Sequence, residues 1–202
     1  PGMPYSPLEG FLPSRSLLMG RRVAAVQPAN SAPDSLAGLQ AEMQGCTRCR
    51  LCEQRKTVVF GEGDPAARLV FVGEGPGATE DETGRPFVGA AGQLLDKMIA
   101  AMGLRREQVY ILNAVKCRPP GNRVPEPDEM EACRPFFDRQ MALLRPEVVV
   151  ALGKTAAQGM LRRDVRILAE RGQFVEFQGK KMMLTLHPAY LLRNPEAKKD
   201  AW

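Results

Sequence analysis

Four cysteines fall into two sets in this 202-residue chain: Cys46 and Cys49 with two residues between them, then Cys117 and Cys133 with fifteen. Four thiolates are a ligand set for a soft metal, either a zinc ion or an iron–sulfur cluster. Structural zinc sites generally use two tight pairs, so the wide second spacing favours a four-iron cluster. Arg48, Arg50, Lys116, Arg118 and Arg134 flank these cysteines. Their charge would offset that of a four-thiolate cluster and could reach phosphates. Cys52, three residues after Cys49, is left over and could be a substitute ligand, but reads rather as a small buried hydrophobe.

A second group of residues points to ligand chemistry. The turn Gly73-Glu74-Gly75-Pro76-Gly77 lets backbone approach a ligand closely, because glycine has no side chain to clash. It is neither the G-x-G-x-x-G of a dinucleotide site nor a P-loop, so a nucleotide cofactor is not indicated. Asn113 ends an apolar run, and its amide offers a donor beside an acceptor, which matches a pyrimidine edge carrying a carbonyl next to an N–H. His187 is the only histidine, and Tyr190-Leu191-Leu192-Arg193 follows it. An apolar wedge beside a cation is suited to entering a base stack and holding the next phosphate. Each feature alone also has a plain structural reading: a tight strand-to-helix turn, a strand-end cap, an incidental loop histidine and, for Phe87, a core aromatic.

These residues need a scaffold that brings them together. Leu69 to Val72, Val109 to Val115, Val148 to Leu152 and Met182 to Leu186 read as four short strands, with helical spacing between them. Ser35 to Gly45 and Ala90 to Met102 are amphipathic helices, Pro127 and Lys154 open two more, and Pro135 is expected to kink or restart the first of these. The alternation predicts an α/β single domain with a four-stranded parallel sheet flanked by helices, over residues 35–202. Residues 1–34 carry no sustained period and are expected to form a flexible or loosely docked extension. In such sheets ligands bind beyond the carboxyl ends of the strands, where the glycine turn, Asn113 and His187 all fall.

Composition narrows the class. The 28 Lys and Arg against 23 Asp and Glu leave a net charge of +5, a modest bias toward polyanions such as nucleic acid. No window reaches the length of a membrane span, and five cysteines, an odd number, argue against a secreted disulfide framework. A soluble, cytoplasmic protein with no membrane partner is expected.

Taken together, the chain from about Cys46 to Trp202 resembles the family 4 uracil-DNA glycosylases. The resemblance rests on the Gly73–Gly77 turn, Gly84-Arg85-Pro86-Phe87-Val88-Gly89, Leu112-Asn113-Ala114-Val115-Lys116-Cys117-Arg118-Pro119-Pro120, and His187 to Arg193. It implies a glycosylase-type fold, a structural 4Fe-4S cluster on Cys46, Cys49, Cys117 and Cys133, and uracil-containing DNA as partner; a monomer is expected, though nothing in the sequence fixes the oligomeric state. It further implies that Phe87 stacks on a flipped uracil, Asn113 reads its Watson–Crick edge, the Gly75 region adds backbone contacts and His187 hydrogen-bonds a uracil carbonyl. Glu74 is then the carboxylate that orients water or stabilises a sugar cation, and Leu191, Leu192 and Arg193 hold the DNA open. The chain departs from the family in carrying Gly75 where alanine is usual, and it stops at Trp202, near where members continue into a terminal helix, which reads as a truncated end. Three other readings remain at this point: a covalent uracil-DNA binder, which would use an additional histidine, a non-catalytic nucleic-acid module and an electron carrier.

Overall fold

Short apolar runs that cannot bury themselves alone dictate the architecture of residues 35–201, the part that this computed structural model describes. The expected 1–34 extension lies outside the described residues. The helices are α1 (Leu36–Gln44), α2 (Ala78–Thr83), α3 (Ala90–Ala101), α4 (Pro127–Leu144), α5 (Lys154–Leu161), α6 (Ile167–Glu170) and α7 (Pro188–Arg193). The strands are β1 (Glu62–Gly63), β2 (Leu69–Gly73), β3 (Tyr110–Asn113), β4 (Val148–Leu152), β5 (Phe174–Phe177) and β6 (Lys180–Thr185). The Ser35 side chain caps α1 by accepting from the Gly38 N–H at 3.1 Å.

The sheet order is β1-β3-β2-β4-β6-β5. Its four central strands are the expected ones and pair in parallel, with Gly73 opposite Asn113 and Val72 opposite Ala151. Two antiparallel edge strands extend it. β5 joins β6 through Gln178-Gly179, both at positive φ, which is the backbone of a tight hairpin. β1 has two residues, too few for any period to appear in the sequence.

Strand side chains alternate between two cores. Val70, Val72, Val149, Ala151, Met182 and Leu184 pack on one face with Phe137 and Met141 of α4 and Met160 of α5. Phe71, Ile111 and Leu152 pack on the other with Leu95 and Ile99 of α3. Each such Val, Leu, Ile, Phe or Met side chain contributes about 1.5–3 kcal/mol on burial.

α4 runs through Pro135 as one element instead of restarting there. The missing N–H costs about 3 kcal/mol. Phe136, Phe137, Met141 and Leu144 are all buried beyond it, and that burial outweighs the loss.

The chain leaves β2 for β3 on one side and returns across β2 to β4 on the other, with α3 and α4 on opposite faces. The carboxyl ends of β2, β3, β4 and β6 therefore share one rim, where an open α/β sheet places ligands. Among the described residues no helix is long and apolar enough to cross a membrane.

Candidate functional site

Glu74, Gly75, Phe87, Asn113 and His187 line one cleft of about 580 Å³ at this rim, together with Arg193. β2 ends at Gly73, β3 at Asn113, and β6 two residues before His187, so parallel pairing delivers three of the walls. The Phe87 and His187 rings lie 5.7 Å apart and tilted by 34°. Asn113 is 1% exposed, and its Oδ1 has no hydrogen-bond partner. A buried acceptor without a donor costs about 1–3 kcal/mol.

Missing side chains make this convergence possible. A Cβ at Gly73 would run into both Asn113 Oδ1 and the Phe87 ring. Gly153, at φ +90°, makes room for His187, whose Cβ would lie 2.9 Å from a Cβ placed there. At Gly75 an alanine Cβ would stand 2.8 Å from the Cγ2 of buried Val115, so the departure from the family pattern matches its neighbour.

His187 caps α7, its Nδ1 accepting from the Ala189 N–H at 3.1 Å. The neutral ring therefore carries its proton on Nε2. Burial, with the Arg193 cation second, pushes the imidazole down to about 4 and keeps it neutral at ordinary pH. Burial likewise raises the Glu74 carboxyl above the usual range, partly offset by a hydrogen bond with the Thr155 side chain.

One expected contact is corrected. Leu191 is fully buried with Leu94, Met98 and Leu186, fixing α7 against α3, so it cannot serve as a wedge. Leu192, at 41% exposure, and exposed Arg193 are the residues that reach solvent at the end of α7.

Cys46, Cys49, Cys117 and Cys133 line a second, smaller pocket, and Cys52 stays outside it. Arg48 and Lys116 line it as expected, whereas Arg50, Arg118 and Arg134 turn to Glu129, Asn122 and Asp138. Burial pushes the Cys133 thiol up to about 11 and raises Cys117 and Cys49 as well. The same cause lowers fully buried Lys116 to about 7. Thiols so reluctant to ionise alone need a cationic centre to hold them as thiolates. Arg55 Nη1 already donates to Cys117 Sγ at 3.3 Å, a partner suited to thiolate charge. Among the described residues no three His, Cys, Asp or Glu close on a single-ion position.

Two carboxylates that sequence reasoning passed over hold these sites. Glu80 accepts from the Gly77, Val88 and Gly89 N–H groups at 3.1, 2.9 and 2.7 Å, tying the glycine turn to the Phe87 loop. Its signal was the cap spacing Gly77-x-x-Glu80. Glu129, buried, accepts from Arg123 through both oxygens at 2.6 and 2.8 Å and from Arg50 Nε at 2.9 Å. These cations, Arg123 first, hold its carboxyl at about 2. Arg50 adjoins Cys49 and Arg123 lines the cleft, so one carboxylate joins the two sites.

Residues 60–202 match the family model described as the Uracil DNA glycosylase superfamily. A Type-4 uracil-DNA glycosylase of Thermotoga maritima is 52% identical over 74% of this chain and 79% of that protein. A second, of Archaeoglobus fulgidus, is 42% identical over 83% of this chain and 88% of its own. A Type-5 uracil-DNA glycosylase of Thermus thermophilus is 35% identical over 60% and 71%.

Proposed function

The chain belongs to the uracil DNA glycosylase superfamily, with type-4 members among its relatives, and on that premise we propose that it hydrolyses the N-glycosidic bond of deoxyuridine in DNA. Uracil leaves and an abasic site remains, the first step of base excision repair. The orphan Asn113 Oδ1 carries this reading. Uracil N3–H is the donor it lacks, whereas cytosine would bring a second acceptor to the same point.

The sugar carbon is unreachable inside a duplex stack, so the nucleotide must turn out into the cleft. Phe87 stacks on the base, Asn113 reads its edge, and the backbone near Gly75 closes over it. As the bond breaks, positive charge grows on the sugar and negative charge on uracil. His187 Nε2–H donates to the uracil carbonyl where that negative charge collects, from a ring already neutral and fixed by its cap. Glu74 orients the attacking water or steadies the sugar cation. Leu192 and Arg193 keep the opened strand in place.

Ionised Glu74 is the working form, so the rate is full above its raised pKa and falls as pH drops through it. His187, neutral down to about 4, adds no second fall near pH 6.5. Glu74→Gln is expected to slow excision at pH 7.5 by roughly 10-fold or more and to abolish this acid limb. A pH–rate profile of the two proteins checks it; an unchanged limb in the variant would assign it elsewhere.

A 4Fe-4S cluster on Cys46, Cys49, Cys117 and Cys133 would supply a cross-link between the segment after α1, the segment after β3, and α4. Purified protein is expected to hold about four irons and four sulfides per chain. Cys133→Ser should lower the iron and the melting temperature together, while one zinc per chain in the parent would contradict the cluster.

The protein is proposed to work as a monomer in the compartment that holds DNA. Incubated with a uracil-containing oligonucleotide, it should release free uracil and leave a site that hot alkali cuts. A stable or covalent DNA complex without free uracil would overturn the assignment.

A further inference from the structure

Phe87 holds its ring over the cleft from an unfavourable backbone, with φ at +51° in a residue that is not glycine. Such a conformation persists only where its surroundings over-determine it. On the amide side Glu80 takes the Val88 and Gly89 N–H groups. On the carbonyl side the guanidinium of Arg106 takes both preceding oxygens: Nη1 donates to Phe87 O at 3.0 Å, and Nη2 donates to Pro86 O. Arg106 is itself aimed by Asp96 of α3 at 2.8 Å and by Glu62 of β1 at 3.6 Å, with 18% of its side chain exposed. Gly92 completes the seat, since a Cβ there would collide with the Phe87 carbonyl. Arg106 is not among the residues lining the cleft, so it touches Phe87 from behind.

We propose that Arg106 is a positioning residue for base excision, its planar fork locking the Pro86 and Phe87 carbonyls so that the Phe87 ring stands at stacking position. This rests on the reading of Phe87 as the residue that stacks on uracil. Lysine in place of Arg106 keeps the charge beside Asp96 and Glu62 but offers one ammonium, which cannot bridge two carbonyls in the plane that a fork requires.

The test compares Phe87→Ala, Arg106→Ala, Arg106→Lys and the double variant Phe87→Ala/Arg106→Ala by single-turnover uracil release. Affinity for abasic-site DNA, iron content and melting temperature are followed in parallel. Displacing a stacking ring by about 1 Å is worth roughly 10²-fold in rate. Arg106→Ala and Arg106→Lys should each lose about 10-fold or more, with DNA affinity within about 3-fold of the parent. The double variant should match Phe87→Ala within about 2-fold, because a residue acting through Phe87 has nothing left to position.

Fully multiplied losses in the double variant, or a parental rate in Arg106→Lys, would overturn the positioning role while leaving the base-stacking reading intact. A parental rate in Phe87→Ala would overturn both. Should Arg106→Ala fail to fold, Arg106→Lys alone and combined with Phe87→Ala gives the same comparison.

Discussion

Asn113→Ala is expected to lose about 10³-fold in uracil excision while folding at least as stably as the parent. The two halves of that result have one cause. Asn113 Oδ1 is buried in the cleft without a donor, so the folded protein bears its desolvation without a compensating hydrogen bond. Removing the amide relieves the protein of about 1 kcal/mol of that burden. On the proposed function it also strips the site of the group that would separate uracil from cytosine. Single-turnover rates and thermal unfolding measured on one preparation check both. Loss of stability with full activity would mean that the amide is an ordinary strand-end brace.

His187→Ala should slow the reaction by about 10²- to 10³-fold, the usual consequence of removing one donor aimed at a developing oxyanion. It should also cost about 1 kcal/mol of stability, because the Nδ1 that caps α7 goes with it. His187→Asn separates the two effects. Asparagine is a good cap, so its side chain can still accept from the Ala189 N–H, yet it does not carry a donor to the position of Nε2. Activity should therefore fall in both variants and stability only in the first. Recovery of rate in His187→Asn would reduce His187 to a cap.

Much of this was legible in residues alone because the informative runs were either strongly periodic or chemically specific. β2, β3, β4 and β6 are apolar runs bounded by Gly, Pro or Asn, and they form the parallel centre of the sheet. β1 and β5 escaped notice because two residues carry no period and a four-residue edge strand pairs on one side only. α4 does not restart at Pro135, because the side chains buried beyond it hold the helix as one element. Leu191 misled for a related reason: Leu191 and Leu192 look alike in a loop, and only the packing of α7 against α3 decides which faces inward.

At the rim, Asn113, Phe87 and His187, which line one cleft, were visible in the sequence, since each has an uncommon chemistry for its place. The residues that hold them were not. Glu80, Glu129 and Arg106 act on partners up to 79 residues away. The distant ones, Arg50 with Glu129 and Arg106 with Phe87, become neighbours only once the chain has folded.

The central claim is that Asn113 Oδ1 waits for the N3–H of an extruded uracil. Its most direct test is release of free base by the intact holoprotein from two matched oligonucleotides, one carrying deoxyuridine and one carrying N3-methyldeoxyuridine. Rapid release of uracil, with the methylated base slower by about 10³-fold, is the expected result. Release of both at the same rate, or of neither, would contradict it.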